Sequence, residues 1–238
     1  MRAAAHALAL AAAAALGIVS AVAGVLPLPD APDLDPAGWQ EVLFRDRAPV
    51  AFTPAGEDDG IAIRAEAAAS MLAVRLRVDP AARACLSWRW RLDETTMPPT
   101  DLGRRGGDDR NLIVAVGFAH DPARRSLGQR LRYDLARLRA GREIPGRVIF
   151  YVWGGAHAVG SWMESPYMDG AGLIRVVEPA LGPVGAWRAV QVDVAADYRA
   201  RFGEAPPAVV ELAIGADSDD TASRTSGRIA DLAFRPGC

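Results

Sequence analysis

The sequence contains no lysine, because all 27 of its basic residues are arginine. The formal net charge is -2 and the pI is about 5.9, so the chain lacks the basic balance of a DNA-binding or RNA-binding protein. Histidine and cysteine are scarce, with three and two residues, and their positions give no zinc-ligand spacing. No serine-hydrolase elbow, phosphate-binding loop or zinc-helix motif occurs. Nucleic-acid, nucleotide and metalloprotease functions therefore have no support in this sequence.

The scarcity of cysteine leaves the redox state of the protein open. Cys85 lies in a strand-like segment and Cys238 is the last residue. They can form a disulfide only if the last strand is a neighbour of the strand that contains Cys85. The alternative, which we favour, is a buried thiol at Cys85 and a free thiol at Cys238.

The N-terminus has the pattern of a secretory signal peptide. Arg2 supplies a positive start, an apolar run extends from Leu8 to Val22, and Ala21-Val22-Ala23 fits the cleavage site. The apolar run is shorter than the ~20 residues of a membrane-spanning helix. We therefore predict a signal peptide at 1–23, a linker rich in proline and aspartate at 24–38, and one domain at 39–238. The processed protein is expected in the periplasm or outside the cell, with no transmembrane span.

Short apolar segments separated by turn signals dominate the predicted domain. Residues 71–78 and 86–92 alternate between apolar and polar side chains, and Trp88 and Trp90 lie on the apolar side of the second segment. This alternation is typical of half-buried antiparallel strands. Further strands are predicted at 61–65, 112–119, 147–153, 173–177, 187–194, 209–216 and 228–234. The pattern predicts an all-β fold, a two-sheet antiparallel β-sandwich of jelly-roll type.

Two peripheral helices are predicted between these strands. Leu127, Leu131, Leu135 and Leu138 recur at helical spacing within 126–139. We expect this helix to cover one end of the sandwich with its leucines. A shorter helix is predicted at 195–202, where Gly203 ends it.

Several short motifs follow one another in a characteristic order. They are Trp88-Arg89-Trp90, Gly107-Asp108-Asp109, Tyr151-Val152-Trp153-Gly154, residues 187–193, Asp197-Tyr198-Arg199, Phe202-Gly203 and Asp217-x-Asp-x-Thr221. This order resembles the bacterial family with domain of unknown function 3047, over nearly the whole processed chain. The resemblance implies an exported, sandwich-like protein and brings no assigned activity. Asp220 stands where the last motif of that family has asparagine, which adds a negative charge.

Acidic residues are concentrated at the ends of two predicted strands. Asp108 and Asp109, followed by Arg110, precede the strand at 112–119, and Asp217, Asp219 and Asp220 follow the strand at 209–216. If these ends meet at one rim of the sandwich, the five carboxylates could bind calcium. The alternative is that Asp217 and Asp220 accept hydrogen bonds from turn N–H groups, while Asp108 or Asp109 pairs with a neighbouring arginine.

Aromatic residues beside a Gly-Gly turn form a second candidate site. Trp153 and Trp162 could stack on a sugar ring, with Tyr151, Glu164 and Arg110 nearby to bind hydroxyl groups. The alternative is that these rings fill the core, which is the more frequent fate of a tryptophan.

Two enzymatic functions are alternatives to simple binding, and they use some of the same residues. Glu164 with Asp217 or Asp219 could form a glycosidase pair, which requires carboxyl groups ~5–9.5 Å apart. Arg89, Arg91, Tyr151 and Gln191 could form a lyase site, with the tyrosine as base.

We expect from the sequence an exported, non-catalytic domain that binds a glycan or cell-envelope polymer. The first alternative is a periplasmic polysaccharide hydrolase or lyase. The second is a structural or interaction domain of the cell envelope.

Overall fold

A computed structural model describes residues 38–56, 59–140 and 143–238. The predicted signal peptide and nearly all of the predicted linker lie outside these residues. Within the described ranges, no helix is both long enough and apolar enough to span a membrane.

The described chain forms twelve strands and two α-helices. In chain order the strands are β1 (Trp39–Leu43), β2 (Ala51–Pro54), β3 (Ile61–Glu66), β4 (Ala69–Val78), β5 (Cys85–Thr95), β6 (Arg110–Phe118), β7 (Arg147–Trp153), β8 (Trp162–Glu164), β9 (Gly172–Glu178), β10 (Arg188–Asp193), β11 (Val209–Asp217) and β12 (Arg224–Arg235). The helices are α1 (Leu127–Ala140) and α2 (Val194–Phe202), with a single 3-10 turn at Pro122–Arg124 before α1. Each strand and helix predicted from the sequence is present, and β1, β2 and β8 add to them.

The strands form two sheets that pack face to face. One sheet has seven strands in the order β1-β4-β11-β6-β7-β9-β8, and the other has five in the order β10-β5-β12-β3-β2. All strand pairs are antiparallel except β7 with β9. The predicted all-β sandwich is therefore confirmed, with one parallel pair in a sheet that was expected to be antiparallel throughout.

The main core lies between the two sheets. β5 contributes Trp88 and Trp90, whose rings meet edge to face with centroids 5.3 Å apart. Trp153 on β7 lies against Trp90, with the ring centroids 5.6 Å apart. Burial of these large rings accounts for much of the apolar area that stabilises the sandwich.

The outer face of the seven-stranded sheet is also apolar. Ala73 on β4, Ala213 on β11 and Ala115 on β6 lie side by side in register across this face. They belong to a second buried cluster together with Met71 and Ile113. Because the residues in the middle of this face are small, the sheet has room for a groove on its outer side.

The predicted packing of α1 is wrong. The helix has the expected bounds, but none of its residues is buried, and its leucines point into solvent. Helical spacing defines which side chains share a face, whereas it does not define which face meets the protein.

Cys85 and Cys238 form a disulfide, with the Cα atoms 5.0 Å apart. The free thiols that we favoured are therefore wrong. The reason is the sheet order: β12 is a neighbour of β5, and Arg235 pairs with Cys85 in register. The residues after β12 therefore lie beside the start of β5, within reach of Cys85.

Candidate functional site

The two acidic segments meet at one rim of the seven-stranded sheet. β6 begins where β11 ends, because the two strands are antiparallel neighbours, and Asp217 pairs with Arg110 in the register. This convergence of Asp108, Asp109, Asp217, Asp219 and Asp220 confirms the arrangement on which the sequence prediction depended.

Asp109 connects the two segments through hydrogen bonds. Its side chain is fully buried and accepts bonds from the backbone N–H of Asp220 at 3.2 Å and of Thr221 at 2.8 Å. The hydroxyl of Thr221 donates a third bond at 2.5 Å. Asp109 therefore holds the turn after β11 against the start of β6. The alternative drawn from the sequence assigns such bonds to Asp217 and Asp220 instead.

Two arginines neutralise part of the negative charge. The buried guanidinium of Arg110 pairs with Asp108. Arg47, in the loop after β1, lies 2.5 Å from Asp219 Oδ2 and 3.8 Å from Asp220 Oδ1. Arg47 could not be predicted from the sequence, because nothing in its local sequence indicates that the loop after β1 reaches the rim.

Burial raises the pKa of two aspartates at the rim. Burial raises the pKa of Asp217 to about 8; Arg110 opposes this rise, and a hydrogen bond with Asp219 adds to it. Burial also raises the pKa of Asp108 to about 6, against the effect of Arg110. Asp217 Oδ1 is buried without a hydrogen-bond partner among the described residues. Asp217 therefore keeps its proton at neutral pH more readily than an ordinary aspartate, because burial makes the charged carboxylate costly.

The rim forms one end of a groove on the outer face of the seven-stranded sheet. The groove encloses about 300 Å³. Its floor is apolar and consists of Met71, Ile113, Phe150 and Met168, and Asp108, Arg110, Asp217, Asp219, Asp220 and Arg47 line its polar end. Asp217 reaches the groove because it lies two residues after Gly215, on the outer side of β11.

Two exposed rings border this groove. Phe44 follows β1, and Tyr167 follows β8 with 49% of its surface exposed. The Tyr167 hydroxyl accepts a hydrogen bond from the N–H of Gly106 at 3.3 Å, and the guanidinium of Arg105 lies 4.8 Å from the ring centroid. These contacts hold the ring beside the groove while leaving part of it open to solvent.

Two of the three carboxylates that could form the predicted calcium site already have other partners. Carboxylate oxygens of Asp109, Asp217 and Asp219 lie within 4.8 Å of one another. However, Asp109 already accepts three hydrogen bonds, and Asp219 is paired with Arg47. A cation would have to compete with these partners, and calcium at this rim stays a prediction.

The structure contradicts the sugar-stacking role of Trp153 and the hydroxyl-binding role of Tyr151. Trp153 is 0% exposed and lies between the sheets. Tyr151 is also fully buried, and its hydroxyl donates a hydrogen bond to Asp197 at 2.9 Å. Both residues face the core because they share a side of β7 with Ile149. Neither ring has a surface to offer to a sugar.

The other two residues of that candidate site lie outside the groove. Trp162 on β8 is partly buried against the core, and the guanidiniums of Arg201 and Arg175 lie 4.7 Å and 5.6 Å from its ring centroid. Glu164 is exposed on β8, and only its neighbour Ser165 lines the groove. Of the five residues predicted to bind a sugar, Arg110 alone is part of the groove.

The predicted lyase constellation is not assembled. Arg89 and Arg91 lie on the five-stranded sheet and pair with Asp231 and Asp93. Tyr151 belongs to the other sheet, and burial and the neighbouring Asp197 raise its pKa well above the usual value. A tyrosine in this environment keeps its proton and cannot act as a base.

Comparison with known proteins gives one assignment. No curated protein matches the chain. The family model described as "Protein of unknown function (DUF3047)" matches residues 37–233, which include every strand and helix of the sandwich except the last residues of β12. The motif order that suggested this resemblance runs through the same residues, and the chain belongs to the DUF3047 family.

Proposed function

We propose that the protein is an exported, non-catalytic β-sandwich that binds a glycan or another cell-envelope polymer in the groove of the seven-stranded sheet. The observation that carries the proposal is the groove itself, with its apolar floor, its polar end and an exposed ring at its border. A saccharide needs these features together: ring C–H groups lie on apolar or aromatic surfaces, and hydroxyl groups bind fixed polar groups.

The polar end suits hydroxyl groups in particular. Arg110 lines the groove beside Asp108, and its guanidinium supplies hydrogen-bond donors there. Asp217 in its protonated form can donate as well as accept a hydrogen bond. The groove therefore offers both donors and acceptors in fixed positions, and a hydroxyl group can use both at once.

Export is the other half of the proposal. It is supported by the signal-peptide pattern at 1–23 and by the Cys85–Cys238 disulfide, since disulfides persist in oxidising compartments. The polymers of the bacterial envelope are accessible to a protein in that location.

Affinity electrophoresis tests glycan binding. The chain from Gly24 is run in native gels that contain soluble bacterial polysaccharides one at a time, and it is sedimented with purified peptidoglycan sacculi. We expect at least one polymer to retain the protein. Tyr167→Ala should weaken that binding about tenfold, because removal of one stacked ring costs ~1 kcal/mol or more. Repeating the assay in EDTA and then in calcium tests whether a cation contributes.

Two control variants separate the groove from other surfaces. Leu181→Ala removes an exposed side chain away from the groove and should bind like the unmodified chain. Trp162→Ala removes the partly buried ring that the sequence predicted to stack on a sugar, and it should also leave binding intact. Retention by no polymer, or equal binding by the Tyr167 variant, would refute the groove as a glycan site and favour a structural or interaction domain.

A second candidate function is cleavage of the bound polymer, by hydrolysis or by the elimination reaction of a lyase. The observation in its favour is that Asp108 and Asp217 line the same groove with raised pKa values, as acid catalysts do. Release of reducing ends or unsaturated sugars from a retained polymer, abolished by Asp217→Asn, would identify an enzyme. Binding without product formation is the result expected from the first proposal.

A further inference from the structure

Helix α1 presents a stripe of four leucines to solvent. Their spacing of four, four and three residues places them on one face of the helix. The exposed fractions are 81% for Leu127, 61% for Leu131, 44% for Leu135 and 78% for Leu138. An apolar stripe of this size on a surface helix marks an interaction site, because single scattered leucines are common but a continuous row is not.

The opposite face of α1 attaches the helix to the sandwich. The ring of Tyr133 stacks on His120 with centroids 3.7 Å apart, and its hydroxyl donates to the carbonyl of Ile144 at 2.8 Å. Tyr133 lies two residues from both Leu131 and Leu135, which is about half a turn of the helix. Attachment through Tyr133 therefore turns the leucines away from the protein.

Arginines flank the leucine stripe on both sides. At 3.6 residues per turn, Arg130 and Arg137 lie on one side of the stripe, and Arg132 and Arg139 lie on the other. Asp134, which borders the stripe on the side of Arg130, is the acidic residue of the helix, and Arg137 pairs with Glu143. The four arginines still give the helix an excess of positive charge in a protein whose overall charge is -2. Long arginine side chains in this position can keep the guanidinium in water while the leucines enter an apolar phase.

We infer that α1 lies on the surface of a bilayer that contains anionic phospholipids, with its leucines inserted at the level of the acyl chains. A leucine stripe flanked by arginines is the pattern of helices that bind in the plane of a membrane interface. The leucines gain from transfer out of water, and the arginines are attracted to phosphate groups.

Other occupants fit the helix less well. A second copy that covered the stripe would bring its own flanking arginines next to those of the first, and like charges would repel. A nucleic acid would engage the arginines and leave the leucines in water. A bilayer with anionic headgroups satisfies both sets of side chains.

Vesicle sedimentation tests the inference. The chain from Gly24 is used, because the apolar run of the signal peptide would itself bind lipid, and this chain contains every described residue of the core, from Trp39 on. The probes are vesicles of phosphatidylcholine and vesicles of phosphatidylcholine with phosphatidylglycerol. We expect at least tenfold tighter binding to the vesicles that contain phosphatidylglycerol, and weaker binding at high salt.

Substitutions in α1 separate its two kinds of side chain. Leu131→Gln with Leu138→Gln should reduce binding to the anionic vesicles at least tenfold, with no change in melting temperature, because both leucines are exposed. Arg132→Gln with Arg139→Gln should reduce the preference for phosphatidylglycerol. Leu181→Gln, at an exposed leucine outside α1, is the control and should bind normally.

Two results would overturn the inference. One is the absence of vesicle binding, or binding that the leucine substitutions leave unchanged. The other is the observation of a dimer by light scattering that the leucine substitutions dissociate, together with no binding to either kind of vesicle. That result would assign the stripe to self-association.

Discussion

The carboxyl group of Asp217 combines burial with the lack of a partner for one of its oxygens. In the unfolded chain it loses its proton near pH 3.8, and in the folded protein it keeps the proton to about pH 8. Folding therefore takes up a proton at Asp217 between these values, and we expect this group to lower the free energy of unfolding as the pH rises from about 4 to about 8. Asp108, with a pKa raised to about 6, acts in the same direction.

Asp217→Asn should remove most of this pH dependence. Asparagine has a similar shape but does not ionise, so we expect the variant to be more stable than the unmodified chain at pH 8, by on the order of 1 kcal/mol or more, and similar to it at pH 4. In a domain of this size, 1 kcal/mol corresponds to about 2–4 °C in melting temperature. Melting curves across this pH range, recorded in EDTA to remove cations, measure the effect.

The matched control is Asp231→Asn, at an exposed aspartate that pairs with Arg89 on the other sheet. This variant should follow the pH profile of the unmodified chain. A flat profile for the unmodified chain, or a profile of the Asp217 variant that still falls toward pH 8, would show that Asp217 does not control it.

At the same scale, some site residues could be predicted from the sequence and others could not. The acidic rim could, because antiparallel neighbours bring a strand start beside a strand end. The burial of Trp153 could not be predicted, because β7 is apolar on both sides. Tyr151 and Trp153 face the core, while Phe150 faces the groove. Alternation identifies the buried face only when the other face is polar.

At the scale of elements, the pairing of β12 with β5 determines where the chain ends. The disulfide closes the chain between residues that are 153 positions apart, so it restricts the unfolded chain strongly. Sequence analysis could not decide this pairing, because strand bounds do not give the order of strands in a sheet. The same limit applies to α1, whose bounds were predicted correctly and whose orientation was not.

Removal of the disulfide should destabilise the sandwich. We expect Cys238→Ser to lower the free energy of unfolding by about 2–5 kcal/mol, because the released chain end gains freedom mainly in the unfolded state. Urea unfolding of the variant and of the unmodified chain measures the difference. The site of substitution is exposed, so the change adds no polar group to the core.

Reduction of the unmodified chain provides the control for this variant. Dithiothreitol should lower the urea midpoint of the unmodified chain to that of Cys238→Ser and should leave the variant unchanged. If the reductant has no effect on the unmodified chain, the two cysteines are not paired in solution.

At the scale of the whole molecule, the two sheets have different outer faces. The five-stranded sheet carries arginines that are paired with aspartates, whereas the seven-stranded sheet carries a groove and, at the connection between β6 and β7, the leucine stripe of α1. The proposed polymer site and the proposed membrane contact thus belong to one sheet. The proposed polymer site depends on the proposed export, whereas the proposed membrane contact needs only a bilayer with anionic phospholipids.

Export should be visible in the mass of the protein. When the full chain is produced in a Gram-negative host, we expect the periplasmic fraction to contain a protein that lacks residues 1–23. Its mass should be lower by a further two hydrogen atoms, because Cys85 and Cys238 form a disulfide. Ala23→Phe should block the cleavage, because signal peptidase requires a small residue there, and should leave a longer protein in the membrane fraction. Ala14→Phe, inside the apolar run, is the control and should be processed normally. A chain of full mass with free thiols in the cytoplasm would contradict export, and with it the access to envelope polymers that the proposed function requires.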